Sequence, residues 1–225
     1  MLILFDLDGT LTESAPGITR SIEYALKKQG FRDYTFEQLL SCVGPPLYDS
    51  FRSLWNMTED QVERAVHDFR DRYETTGIFE NKPYPGIPEM LQKLNEAGIL
   101  CGVASSKPEP FVRRILDHFH LTEYLPVVAG ATEDETIVEK PDIIRMAVKM
   151  VKGRNPDAMK SGVFMAGDRC YDIHGAKSCG IHSIGTAYGY GSREELETAG
   201  AEYIVDTTEE LGNLILSLDA GTASA

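Results

Sequence analysis

The stretch MLILFDLDGTLTES (residues 1–14) decides how the rest of the chain is read. Five apolar residues run straight into two aspartates one residue apart, Asp6 and Asp8, and Gly9 and Thr10 follow at once. In a strand, residues i and i+2 share a face, so the pair is expected to aim at one spot where the chain leaves a sheet. Adjacent carboxylates repel, and one takes up a proton unless a cation lies between them. A hard divalent cation with oxygen ligands fits such a pair, and Mg²⁺ is the usual choice where phosphate is also bound. Gly9 and Thr10 offer backbone N–H groups at a tight turn, which is a cradle for an anion. The competing reading is a plain strand-to-turn junction, where Asp and Gly are common anyway. The stretch alone leaves both open.

Further along, five more short apolar runs have strand character: Leu100–Ala104, Pro126–Ala129, Gly162–Ala166, His182–Gly185 and Tyr203–Val205. Several are continuously apolar, the mark of parallel strands buried on both faces. Helical patterns separate them at Ile87–Ala97, Phe111–Phe119, Ile143–Val151, Asp172–Cys179 and Glu209–Leu218. Strands alternating with helices imply an α/β fold with a doubly wound parallel sheet. From about Pro16 to Asn81 only helix signals occur. Thr58 with Gln61 has capping-box form, and Val62, Ala65, Val66, Phe69 and Tyr73 follow at helical spacing. The expected organisation is a core of residues 1–14 and 83–225 with a small helical unit at 15–82 inserted after the first strand. Asp219–Ala225 is expected to be a loose tail.

Composition narrows the partners. The 225-residue chain carries a net charge of −13, against a nucleic-acid polymer or an anionic membrane as partner. Its apolar start is only five residues long with no basic segment before it, unlike a signal peptide, and no run approaches the ~18 residues of a membrane span. Cys42, Cys101, Cys170 and Cys179 form no CxxC pair, which points to reduced thiols and a cytoplasmic location.

The other strand ends bear on the aspartates. In open α/β sheets, ligands bind beyond the carboxyl ends of the strands. The second strand runs into Ser105-Ser106-Lys107-Pro108, where a hydroxyl can bond a phosphoryl oxygen and Lys107 adds charge, or where the segment caps the next helix. Lys140 precedes Pro141 at the start of a helix and can neutralise a phosphate and hold an acid, or simply be solvated. A fourth run delivers Gly167-Asp168, with Asp172 four residues on as a possible helix cap. Asp/Asp, Ser, Lys and Asp at the ends of one sheet are a poor fit to chance.

In this order, Asp6-Leu-Asp8-Gly-Thr, Ser105, Lys140 and Gly167-Asp168-x-x-x-Asp172 resemble all four motifs of the haloacid dehalogenase superfamily of phosphohydrolases, over nearly the whole chain. The helical insert resembles that family's small α-helical cap on a Rossmann-like core. Ala104–Pro108, Val43-Gly-Pro-Pro-Leu47 and Tyr188-Gly-Tyr-Gly191 resemble the phosphoglycolate phosphatase and bacterial 5′-nucleotidase branch, with Ser106 where many members have asparagine. The resemblance implies a phosphate monoester hydrolase with Asp6 as nucleophile and Asp8 as the acid that protonates the leaving oxygen and then activates water. It implies Mg²⁺ on Asp6, the backbone carbonyl of Asp8, and Asp168. Ser105 and Lys140 would hold the phosphoryl oxygens, with Gly9, Thr10, Ser106, Lys107 and the cap residues Gly44 and Pro45 as further phosphate or substrate contacts. Asp172 would order metal waters or Lys140. The expected partner is a small phosphorylated metabolite, phosphoglycolate or a nucleoside 5′-monophosphate, acted on by a monomer or weak homodimer.

Rival chemistries of the family fit less well. A dehalogenase lacks the second aspartate. A capped phosphomutase uses a cap histidine about a dozen residues past the nucleophile, where this chain has Ile18. A phosphonate hydrolase needs a cap lysine, and none occurs between Lys28 and Lys82. A pyrophosphatase stays an alternative, and a non-catalytic binding module is disfavoured because no motif residue is missing. Tyr48, Phe51, Trp55, Tyr188 and Tyr190 are candidates for a nucleobase surface, with Trp55 expected in the core.

Overall fold

The computed structural model describes residues 1–45, 47–132 and 136–222. The chain divides into two compact units, Glu13–Lys82 and the remainder, crossing between them at Thr12–Glu13 and Lys82–Pro83.

The larger unit is built on six parallel strands: β1 (Leu2–Phe5), β2 (Leu100–Pro108), β3 (Val127–Ala131), β4 (Val163–Gly167), β5 (His182–Thr186) and β6 (Tyr203–Val205). Their order is β3-β2-β1-β4-β5-β6. The first crossovers run from β1 through β2 to β3, and the later ones start on the other side of β1. The switch in direction therefore lies between β1 and β4, where Phe5 pairs with Ala166, and it is at such a switch that an open sheet leaves a crevice. Leu2 and Leu4 point into a cluster with Met165, Ala104 and Ala129, covered by Ile143, Ile144 and Ala147 of one helix and Ala176 of another. Ile3 and Phe5 alternate to the opposite face and are equally buried. Burial on both faces explains why these strands read as unbroken apolar runs.

The helices of this unit follow the strands in turn. After the four helices of the smaller unit, α5 (Ile87–Glu96) and α6 (Glu109–His118) contact β2, and α7 (Lys140–Arg154) and α8 (Cys170–Cys179) cover the Leu2–Leu4 face. The short α9 (Arg193–Ala199) meets α8, and α10 (Thr208–Thr222) packs on α5. The expected loose tail is corrected here for Asp219 to Thr222, which continue α10, its buried Leu211 and Ile215 holding the helix down. Residues 223–225 of that expectation lie outside the described residues.

The smaller unit is helical: α1 (Ala15–Lys28), α2 (Phe36–Leu40), α3 (Leu47–Trp55) and α4 (Glu59–Thr75). Thr58 caps α4 reciprocally with Gln61, as the sequence pattern requires. The apolar stripes Ile18, Ile22, Ala25, Leu26 and Val62, Ala65, Val66, Phe69 are all buried where α1 packs on α4. Trp55 and Phe51 are buried, with ring centroids 5.9 Å apart, so both belong to this unit's core.

Candidate active site

Asp6 continues the face of Leu2 and Leu4, and its N–H donates to the Ala166 carbonyl at 2.9 Å, so it leaves the sheet on the side covered by α7 and α8. Each of those helices brings one charged residue of its first turn to this end of the sheet, Lys140 from α7 and Asp172 from α8. Lys140 opens α7 ahead of Pro141, which can occupy a first turn because the amide it lacks would be unpaired there. The Lys140 ammonium lies 2.9 Å from Asp6 Oδ1 and 2.8 Å from Asp172 Oδ1, and it donates to the Ala104 carbonyl at 3.1 Å. Its stem crosses α8 at Gly175, where a Cβ would sit 2.8 Å from Lys140 Cγ. Asp172 is not the cap residue of α8. It stands in the first turn, and its Oδ2 accepts the Arg169 N–H at 3.1 Å.

Asp168, at the end of β4, has no solvent exposure. Thr10 Oγ1 donates to its Oδ1 at 3.3 Å and the Tyr190 amide donates to its Oδ2 at 2.8 Å. Gly9, at φ +85°, lies so close that a Cβ would fall 2.2 Å from Asp168 Oδ2. On the other side, a Cβ on Gly189 would fall 2.3 Å from Asp168 Cβ and 2.3 Å from the Gly9 carbonyl. Tyr188 completes this clamp by donating its hydroxyl to the Thr10 carbonyl at 2.9 Å. The Tyr188–Gly191 stretch, read in the sequence only as a branch marker, thus ties the β5 side of the sheet to the aspartate loop. The signal was available: glycines alternating with tyrosines mark a backbone that must approach something closely while its neighbours pack.

The expected anion cradle at Gly9 and Thr10 is corrected. Gly9 N–H donates to the Thr12 carbonyl at 2.8 Å and Thr10 N–H to the Leu7 carbonyl at 3.3 Å. The turn that carries the aspartates consumes those amides itself. The two aspartates also part company. Asp6 meets Lys140, whereas Asp8 Oδ2 lies 2.7 Å from the Lys107 ammonium. Ser105 is buried, and its Oγ accepts the Lys107 N–H at 3.4 Å; Ser106 is exposed. Gly44 and Pro45 belong to the helical unit, between α2 and α3, and Gly44 has φ +106°. Pro46 of the same motif lies outside the described residues.

The electrostatics set this cluster apart. Ligand oxygens of Asp6, Asp168 and Asp172 all lie within 4.8 Å of one another. Burial pushes Asp168 well above the ordinary carboxylate range, and the charges of Asp172 and Asp6 add to the effect. Burial likewise raises Asp172, to about 6, against the pull of Lys140. For Lys140, burial acts downward but Asp172 and Asp6 outweigh it, so the ammonium is held above its ordinary value. Asp6 and Asp172 share the Lys140 ammonium, while Asp168 is met by Thr10 and the Tyr190 amide. With all three ionised, the cluster carries two more negative charges than Lys140 offsets, and Arg169, beside Asp168 in the chain, is engaged by Glu195 at 3.0 Å. A buried, oxygen-only site short of two positive charges suits a divalent hard cation. Asp6, Asp168 and Asp172 are the side chains whose oxygens could hold such an ion, and the Asp8 side chain is occupied by Lys107.

Residues 3–186 match the family model described as haloacid dehalogenase-like hydrolase. The chain is 37% identical over 194 residues to a Pseudomonas aeruginosa protein named 5′-nucleotidase, covering 86% of each. It is 32% identical over 212 residues to the Mycobacterium tuberculosis protein named tyrosine-protein kinase PtkA, covering 93% of this chain and 70% of that one. It is 29% identical over 218 residues to a phosphoglycolate phosphatase of Vibrio parahaemolyticus, covering 93% of each. Among solved structures, a predicted phosphatase from Clostridium acetobutylicum superposes with a TM-score of 0.87 at 42% identity, covering 96% of this chain and 98% of that one.

Proposed function

The chain belongs to the haloacid dehalogenase-like hydrolase family, and we propose that it is a Mg²⁺-dependent phosphate monoester hydrolase working through an aspartyl-phosphate on Asp6. It is a phosphatase, similar to 5′-nucleotidase and phosphoglycolate phosphatase. The observation that carries the mechanism is the position of the Lys140 ammonium, 2.9 Å from Asp6 and 2.8 Å from Asp172, at the switch point of the sheet.

Asp6 attacks phosphorus with one carboxylate oxygen. An O–P bond forms, the ester P–O bond breaks, and the leaving oxygen takes a proton from Asp8. Water then attacks the phosphorus of the aspartyl-phosphate, Asp8 takes a proton from that water, and Asp6 and inorganic phosphate are released. Lys140 orients Asp6 and offsets charge on the phosphoryl oxygens, which the Ser105 hydroxyl also holds. Asp6, Asp168 and Asp172 would hold the Mg²⁺, with the Asp8 carbonyl as a further candidate. When bound, the ion supplies positive charge that lets an anionic nucleophile and an anionic phosphoryl group meet.

The substrate is a small phosphorylated metabolite, with phosphoglycolate and nucleoside 5′-monophosphates first in line. Of five aromatics weighed for a nucleobase surface, Phe51 and Trp55 are core residues and Tyr188 is tied to Thr10. Comparing kcat/KM over a panel of monoesters identifies the substrate, since discrimination is the ratio of those values. The mechanism is tested with p-nitrophenyl phosphate. Asp6→Asn should lower kcat by at least about a thousandfold, and EDTA should do the same to the unaltered protein. Wild-type turnover by Asp6→Asn would end the nucleophile assignment.

A further inference from the structure

We infer that Lys107 is a positioning residue for Asp8: it occupies Asp8 Oδ2 and leaves Oδ1 as the oxygen presented to the leaving group. The inference rests on the acid role given to Asp8 above.

Lys107 reaches Asp8 through an irregularity in the sheet. Sequence alone placed Lys107 as a phosphate contact, in a segment following the second strand. In the structure β2 continues through this segment to Pro108, but its register against β3 breaks. Ser105 pairs with Gly130 and Pro108 already pairs with Ala131, so Ser106 and Lys107 form a bulge. A bulge bends its strand and re-aims side chains, and it is frequent beside active sites. Two features hold this one in shape. Ser105 Oγ accepts the Lys107 N–H at 3.4 Å. Gly130 lies under the bulge, where a Cβ would stand 2.7 Å from the Lys107 carbonyl and 2.6 Å from Glu109 Cα.

The result is an ion pair of two largely buried groups, Lys107 Nζ to Asp8 Oδ2 at 2.7 Å, with side-chain exposures of 8% and 12%. Asp8 Oδ1 is buried and has no hydrogen-bond partner among the described residues. A carboxylate with one oxygen engaged by an ammonium and the other unpartnered has a defined orientation and a single oxygen free to exchange a proton. Buried unpartnered oxygens are uncommon in folded proteins and often mark a place where a substrate supplies the partner. Lys107 and Lys140 therefore serve different aspartates: Lys140 is committed to Asp6 and Asp172, and Lys107 to Asp8.

A residue that acts through proton delivery has a kinetic signature that a phosphate ligand lacks. p-Nitrophenolate leaves without a proton at neutral pH, whereas an alkoxide does not. Because water attack on the aspartyl-phosphate is common to both esters, the contrast is read from kcat/KM, which reports the transfer step. Lys107→Met should lower it about 30-fold on glycerol 2-phosphate and about threefold on p-nitrophenyl phosphate, within the range of general acid catalysis. Inhibition by inorganic phosphate should stay within about twofold. Lys107→Arg should recover part of the loss on the alkyl ester, and adding Lys107→Met to Asp8→Asn should cost little more, as expected of two residues acting as a unit. Equal losses on both esters, or weakened phosphate inhibition rising in step with KM, would overturn the inference and return Lys107 to the phosphate. Asp8→Asn alone separates the two levels. If it shows the leaving-group dependence and Lys107→Met does not, only the Lys107 inference fails; if Asp8→Asn lacks it, the acid assignment fails and takes the inference with it.

Discussion

Among the described residues, two groups of titratable side chains bring ligand-type atoms within 4.8 Å of one another, and they are different objects. In the helical unit, His67, Asp68 and Asp71 follow one another on α4. Asp68, the buried member, is bonded by Lys28 and by Gln29 Nε2 at 2.8 Å, while the side chains of His67 and Asp71 are 74% and 53% exposed. Every charge there has water or a partner. In the larger unit, Asp6, Asp168 and Asp172 converge, and a single ammonium, Lys140, meets Asp6 and Asp172. Proximity of ligand atoms is common to both clusters; a deficit of positive charge in a water-poor setting belongs to one. That deficit is the ground for proposing a cation site there, because an unpaired buried charge is costly and a bound cation removes the cost.

The largest effect is expected at Lys140. Lys140→Met leaves Asp6 and Asp172 without their cation and should destabilise the metal-free protein by about 3–5 kcal/mol, read from denaturant unfolding. Because the native value of Lys140 lies above the ordinary lysine value, its contribution is fully present throughout neutral pH. A loss no larger than that of an exposed lysine would mean that Asp6 and Asp172 do not depend on it.

The metal's effect on stability sharpens the same contrast. In EDTA, native Asp168 and Asp172 retain protons at pH values where the unfolded chain has released them, since both are raised above 3.8, Asp172 to about 6. The native state then binds more protons than the unfolded one, so these groups make stability fall as pH rises from about 4 through 6 and beyond. Mg²⁺ needs the ionised carboxylates, so the rise in melting temperature it produces should be larger at pH 8 than at pH 5. At a hundred times its dissociation constant the ion should add about 2.7 kcal/mol. A shift independent of pH would mean that it binds elsewhere.

A smaller effect is expected from the clamp around Asp168. Gly189→Ala puts a methyl group 2.3 Å from Asp168 Cβ and from the Gly9 carbonyl, so the loop must move. The Mg²⁺ concentration giving half-maximal activity should rise about tenfold, as when an outer partner of a metal ligand is disturbed. The mildest change is Asp68→Asn in the helical unit. It should lower the melting temperature slightly and leave both kcat and the Mg²⁺-induced shift as they were. A lost Mg²⁺ shift in that variant would erase the distinction between the clusters.

Much of this was legible in the sequence because strand periodicity and strand ends are local properties. Leu2 and Leu4 on one face put Asp6 on that face too, and apolar runs ending in Asp6, Ser105 and Asp168 announced a parallel sheet with polar groups at one edge. Lys140 was also readable, since Pro141 behind it marks the start of a helix. The Gly9–Thr10 cradle misled because the hydrogen bonds of a tight turn depend on how it closes, and here Leu7 and Thr12 carbonyls close it.

By itself, then, the amino-acid sequence determined the α/β core, the helical insertion and the set of charged residues at the strand ends, because each follows from spacing within a short segment. Only the tertiary structure decided which charge faces which. Lys107 belongs to Asp8 through a bulge between β2 and β3, Asp172 joins Asp6 and Asp168, and the Tyr188–Gly191 loop holds Asp168 from the far side of β4. Those pairings join residues far apart in the chain, and long-range electrostatics and close backbone approach leave no periodic trace in sequence.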